Sequence, residues 1–171
     1  AVTGVQTCAL PIYGSTYFSS PEPLGSYSRA ITERLAHWAE HAPERVFVAE
    51  RDANDAWREL RYGEAWRRVC RIGQGLLDRG LSVDRPVAIL SENSIEQALL
   101  GCAAMHVGVP YAPISPAYSL VSTDHGKLKH AFSLLNPGLV FAIDGERYAK
   151  ALAAAVPPGC EIVVARSEEH T

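Results

Sequence analysis

Pro86-Val87-Ala88-Ile89-Leu90 is an unbroken apolar run with no polar alternation, and it constrains the fold more than any other feature of the chain. A strand with one wet face alternates in polarity, so an uninterrupted run calls for a strand covered on both faces. Similar short runs recur at Val109–Pro113, Leu139–Ile143 and Ile162–Ala165, and each interval between them carries a helical pattern. Strands alternating with helices predict an α/β fold of three layers: a mostly parallel sheet with helices on both faces.

The intervening helices are legible in the same way. From Gly63 to Arg79, Trp66, Val69, Cys70, Gly73, Leu76 and Leu77 share one face, opposite Arg67, Arg68, Arg71, Gln74 and Asp78. Gly73 lies on the apolar face, which predicts a close approach to a sheet, and Gly80 provides a C-terminal stop. After Ser91-Glu92-Asn93, a capping box is available as Asn93 with Glu96 or Ser94 with Gln97. The helix it opens, through about Val107, is apolar nearly all round and is expected to be deeply buried. Ile31, Leu35, Trp38, Ala39 and Ala42 predict an earlier helix closed by Pro43. Segment 46–62 reads as a hairpin turning at Asp52–Asp55. Residues 13–28, rich in Ser, Gly, Pro and Tyr, read as an irregular lead-in, and 113–118 as a Pro-rich loop. Further helices are expected around Leu128–Leu135 and over Glu146–Val156.

The two ends are of a different kind. Arg166-Ser167-Glu168-Glu169-His170-Thr171 can be written AGA TCG GAA GAG CAC ACG. The reverse complement, shifted by one base, reads ACG TGT GCT CTT CCG ATC T, which encodes Thr7-Cys8-Ala9-Leu10-Pro11-Ile12 and begins a tyrosine codon. Residue 13 is Tyr. The shared word is a common sequencing-library adapter, so 1–12 and 166–171 are expected to be adapter-derived and 13–165 to be the natural part, set apart from the ends in fold reasoning.

Composition excludes several classes. Charged residues make up 20% of the chain and its net charge is −3, so nucleic acid and acidic membranes are not default partners. No apolar run reaches membrane-spanning length. Outside the ends, Cys70, Cys102 and Cys160 have no metal-ligand spacing and sit in apolar company, which reads as buried free thiols in a reducing, cytoplasmic compartment.

Catalytic motifs are scarce. Walker A is absent, and Gly73, Gly75 and Gly80 lie within and after a helix rather than between strand and helix, the wrong context for a phosphate cradle. His37 and His41, at i, i+4 with Glu40 between them, have the spacing of two zinc ligands but no third; a solvated face is the reading spacing favours. The run Thr123-Asp124-His125-Gly126-Lys127-Leu128-Lys129-His130 is either the solvated start of a helix or a basic edge near a ligand entrance. No serine sits in a nucleophile elbow.

From Leu60 to Tyr118 the chain resembles the N-terminal part of the adenylate-forming superfamily of acyl- and aryl-CoA ligases, luciferases and peptide-synthetase adenylation domains. The residues that carry the resemblance are Leu60-Arg61-Tyr62-Gly63-Glu64, Gly80-Leu81, Arg85–Ser94, His106-Val107-Gly108-Val109-Pro110-Tyr111-Ala112-Pro113 and Pro116-Ala117-Tyr118. Ser119–Leu128 and Pro137–Ala142, with Glu22-Pro23-Leu24-Gly25 and Thr32-Glu33-Arg34-Leu35, are similar to the feruloyl-CoA synthase branch. The resemblance implies ATP, Mg2+ and CoA as cofactors of a full-length parent, an aromatic carboxylic acid as its substrate, and the rest of its own domain as the partner of this stretch. It also implies that the phosphate loop, magnesium ligand and catalytic lysine lie downstream, so that no catalytic, cofactor or metal residue maps onto this chain. The stretch is expected to be inactive scaffold, marginal as a folded unit. The alternatives are a fragment of another acyl-CoA ligase, such as a fatty-acid type, and a stand-alone flavodoxin-like binding module.

Overall fold

Four parallel strands form the central sheet: β5 (Val87–Leu90), β6 (Tyr111–Ile114), β7 (Leu139–Ala142) and β8 (Glu161–Val164), in the order β6-β5-β7-β8. They belong to a computed structural model that describes residues 6–10 and 15–165. All four residues of β5 and all four of β7 are buried, as their unbroken apolar sequences require. Val87 aligns with Tyr111 on one side and Leu139 on the other.

The connecting helices are α3 (Ile95–Val107) between β5 and β6, α4 (Ala117–Leu120) and α5 (Gly126–Leu135) between β6 and β7, and α6 (Ala149–Ala155) between β7 and β8. From β5 the chain steps to β6 on one side, then recrosses to β7 on the other. Right-handed crossovers therefore put α3 on one face of the sheet and α5 and α6 on the opposite face. Two earlier helices, α1 (Ile31–His41) and α2 (Tyr62–Asp78), pack with α3, while α4, α5 and α6 pack with one another. The three expected layers are present.

Packing explains the details. The α2 face made by Ala65, Val69, Gly73 and Leu76 is buried. A Cβ on Gly73 would lie 2.8 Å from Val107 Cγ1, so the glycine admits helix α3, and the expectation that it approaches the sheet is corrected. Helix α2 closes as anticipated at Gly80, whose φ of 65° is left-handed and whose N–H donates to the Leu77 carbonyl at 2.8 Å; the Leu81 N–H donates to the Leu76 carbonyl at 3.2 Å. Ser94 caps α3 by accepting the Gln97 N–H at 3.1 Å. The capping box is only half made, since Gln97 Oε1 is buried without a partner among the described residues. The C-terminal turn of α3 is less buried than its apolar sequence implies, with Met105 39% exposed.

Other expectations are corrected where the sheet ends. The strand anticipated at Val109–Pro113 begins at Tyr111 and is an edge strand, with Pro113 exposed and only Ile114 buried. The Val87 N–H donates to the Pro110 carbonyl, so strand alternation turns Tyr111 and Pro113 outward. A proline that cannot donate is tolerated there because nothing accepts from it. The Pro-rich loop contains the single turn α4, which starts directly after Pro116, whose fixed φ is pre-organised for a helix.

The hairpin is confirmed as β3 (Val46–Arg51) and β4 (Trp57–Arg61). Asp52 Oδ1 closes its turn by accepting the N–H groups of Asn54 at 2.8 Å and Ala56 at 2.9 Å. The lead-in is not wholly irregular: β1 (Gln6–Leu10) and β2 (Ser15–Ser19) pair antiparallel in a separate two-stranded sheet. Thr16, Tyr17 and Phe18 are strand formers, and their propensity outweighs the Ser, Gly and Pro around them. Of the ends read as adapter, 1–5, 11–12 and 166–171 lie outside the described residues.

Candidate functional site

In open α/β sheets, ligands bind beyond the carboxyl ends of the strands, where neighbouring connections leave for opposite faces. Here that point lies between β5, which leads to α3, and β7, which leads to α6. A cleft of about 180 Å³ opens there, lined among others by Glu50, Arg51, Glu92, Ser94, Asp144 and Arg147.

The cleft is bound up by its own charges. Arg147 forms a bidentate pair with Glu92, with contacts of 2.6 and 3.0 Å, which raises the arginine pKa above its usual range. The Arg147 N–H donates to Asp144 Oδ1 at 2.9 Å. From the hairpin, Glu50 Oε2 accepts the Ile95 N–H at 2.7 Å, which places a carboxylate at the N-terminus of α3. Arg58 binds Glu50 and also Glu96, the latter with contacts of 2.8 to 2.9 Å; the hydrogen bonds to Glu96 are the largest cause of its raised pKa. Burial followed by the charge of Glu92 pushes the Tyr148 phenol up, and its hydroxyl is buried without a partner among the described residues.

This arrangement ties the hairpin to α3 and the segment after β5 to the segment after β7. A phosphate at this position would need the N–H groups at the start of α3, but Glu50 and Ser94 already occupy two of them. Glu50, Glu92 and Glu96 are committed to arginines, and the described residues contain no group of three His, Cys, Asp or Glu able to hold a metal ion. The donor set does not fit Mg2+.

The residues singled out from sequence are scattered. His37 and His41 stack with ring centroids 4.1 Å apart, and His41 Nδ1 lies 2.8 Å from the His37 carbonyl, which commits the pair to the surface of α1. His125 is buried at the start of α5 with φ of 53°, not solvated as the helix-start reading has it. Beside it Lys127 lies 5.4 Å over the Tyr118 ring and Lys129 Nζ donates to the Asp124 carbonyl, so the cations are spent locally. Cys70 is exposed and Cys102 and Cys160 half-buried, which corrects the reading of three buried thiols. Burial raises the pKa of Cys102 and Cys160.

The Glu50–Arg58–Glu96 network was not anticipated from sequence. Half of it was accessible: a turn at Asp52–Asp55 sets Glu50 opposite Arg58 in the hairpin register, an opposite-charge cross-strand pair. The link to Glu96, and the Glu92–Arg147 pair across 55 residues, required the tertiary fold.

The fold and its occupied switch point define a doubly wound α/β scaffold of the kind found at the N-terminal side of adenylate-forming enzymes. Residues 35–170 match the family model described as AMP-binding enzyme. The chain belongs to that family. It is similar to bacitracin synthase 3 of Bacillus licheniformis, 33% identical over 88 residues covering 52% of this chain and 1% of the relative. Luciferin 4-monooxygenase of Nipponoluciola cruciata is 32% identical over 81 residues, covering 47% and 14%. Among solved structures, a fatty acyl-adenylate ligase from L. pneumophila in complex with acyl adenylate and pyrophosphate shares the fold at a TM-score of 0.65 and 15% identity, over 83% of this chain and 24% of its own. Apo MatB from Rhodopseudomonas palustris aligns at a TM-score of 0.57 and 25% identity, over 76% and 24%. The chain thus spans a small part of the proteins it matches. No helix among the described residues is long and apolar enough to cross a membrane.

Proposed function

We propose that residues 13–165 are the N-terminal scaffold of an ATP-dependent acid–CoA ligase, and that 1–12 and 166–171 are translated adapter. The observation that carries the ligase reading is the family match over 35–170, and the switch-point cleft lined by the chain's own ion pairs supports the scaffold role. The match extends to residue 170, and the boundary at 165 is set by the nucleotide word that the two ends share. In the whole ligase a carboxylate attacks the α-phosphate of ATP, the bond to pyrophosphate breaks, and the CoA thiol then displaces AMP from the acyl-adenylate. We assign a hydroxycinnamate such as ferulate as the acid, on the likeness of Ser119–Leu128 and Pro137–Ala142 to that branch.

ATP–pyrophosphate exchange tests both parts. The chain as it stands is expected to give no acid-dependent exchange, and ferulate-dependent exchange by it would overturn the scaffold role. The longer gene product is expected to exchange with ferulate in preference to a fatty acid; the opposite preference would move the assignment to a fatty-acid type. Resequencing the source DNA across both junctions with a different library chemistry tests the adapter assignment, which falls if residues 1–12 and 166–171 are reproduced with genuine flanks.

A further inference from the structure

An apolar groove of about 240 Å³ lies where α1 meets the hairpin and α3. Its walls are largely aromatic: Trp38 from α1, Phe47 from β3 and Tyr62 from the first turn of α2. The Tyr62 ring centroid lies 5.1 Å from that of Phe47 and 6.4 Å from that of Trp38, so the three rings form one continuous apolar surface. That surface is incompletely covered, since Trp38 is 38% exposed and Ile31, which also lines the groove, 68%. Arg45 stands over Trp38 with its guanidinium carbon 5.8 Å from the ring centroid, and it has no ion pair among the described residues.

The segment that runs into α1 has the complementary chemistry. Pro21 and Pro23 have a fixed φ and bias Ser20 and Glu22 before them toward the extended polyproline conformation. Residues 23–28 carry neither helix nor strand. With three residues per turn in the polyproline conformation, Leu24 and Tyr27 share one face. They are 87% and 75% exposed, apolar side chains left in water. Their separation, about 9 Å at 3.1 Å per residue, matches the distance of about 10 Å from Ile31 to Trp38 along α1 at 1.5 Å per residue. Glu22 lies two residues further out, at the level of Arg45, and its carboxylate has no ion pair among the described residues.

We infer that this groove is a docking surface for a proline-rich segment and that its occupant is the chain's own lead-in. Residues 20–27 fold back antiparallel to α1, with Tyr27 against Ile31 and Leu35, Leu24 against Trp38, and Glu22 paired with Arg45. Aromatic-lined grooves take such segments because a backbone that is already extended loses little entropy on binding. The tether adds to this, since a segment joined to its site by a few residues is held there at high effective concentration. The chain already bends at Arg29 and Ala30, and the Arg29 N–H donates to Glu33 Oε2 at 3.1 Å, which fixes the entry to α1. The closed lead-in covers Cys102 and Met105 of α3, which line the same groove. None of this depends on the ligase reading.

Iodoacetamide labelling of the chain 1–171, read by mass mapping, follows the covering of Cys102, with exposed Cys70 as the reference. Glu22→Lys, a change at an exposed site outside the core, is expected to raise the Cys102 rate about twofold and to leave Cys70 unchanged; adding Arg45→Glu is expected to restore the native rate. Leu24→Ser with Tyr27→Ser is expected to raise it about fivefold or more, and an excess of a peptide of residues 20–29 to restore protection. Native rates at Cys102 in both variants overturn the inference. A rise at Cys102 that Cys70 shares overturns it too, because it reports loosening of the helices rather than uncovering of the groove. Protection that grows with protein concentration makes the lead-in of a second copy the occupant and overturns it as well.

Discussion

Replacing Arg58 by Met keeps the apolar stem of the side chain and removes the cation that joins the hairpin to α3. Its magnitude is bracketed by burial. A fully exposed pair is worth about 0.2–1 kcal/mol, and removal of one partner of a fully buried pair costs about 3–5 kcal/mol. Arg58 is 41% exposed, but its partners Glu50 and Glu96 are only 19% and 25% exposed, and the variant removes the cation that the two carboxylates share. A loss of about 2 kcal/mol follows, discounted from the buried limit for solvent access to the guanidinium. It is to be read by hydrogen exchange at the Ile95 amide, which depends on Glu50, and by urea unfolding. About 2 kcal/mol corresponds to an exchange rate some 30-fold faster if the hairpin detaches locally. Glu50→Gln, combined with Arg58→Met in a double-mutant cycle, must show coupling. Additive effects, or a loss under about 0.5 kcal/mol, the range of ordinary surface changes, would refute the network as a structural joint.

Other outcomes follow from local packing, capping and exposure. Gly73→Ala places a Cβ 2.8 Å from Val107 Cγ1 and is expected to cost about 1–3 kcal/mol in thermal unfolding, while Gly75→Ala meets only Arg79 Nη1 at 3.4 Å and is expected to stabilise α2 by about 0.5–1 kcal/mol. Ser94→Ala removes the α3 cap and is expected to cost about 1 kcal/mol in the same assay. Alkylation followed by mass mapping is expected to modify exposed Cys70 before Cys102. Because burial raises the Cys102 pKa, the folded state holds that proton more tightly than the unfolded one. The associated stability is present below about pH 8.5, the unperturbed thiol value, and falls as pH rises through the folded pKa, which a pH series of melts in native and Cys102→Ala chains would detect.

The sheet, its helices and most of their ends were readable from sequence because the signals are local. An apolar run such as Val87–Leu90 states its own burial, Ser94 and Gly80 state their caps, and Asp52 states its turn. Strand order, by contrast, is a long-range property. Whether a run such as Tyr111–Ile114 lies at the centre or the edge depends on which strands pair with it, and only the assembled sheet turns Pro113 outward. Gly73 likewise announced a close approach, but its neighbour, Val107, is set by how α2 crosses α3. The switch-point cleft shows the same division. That such a cleft lies beyond the strand ends follows from β/α alternation, whereas which strands flank it depends on strand order. Its lining by Glu50, Glu92 and Arg147 arises because a hairpin strand and the segments after β5 and β7, distant in sequence, converge there. Charge pairing acts over a few ångströms in space, and sequence separation carries no information about that distance.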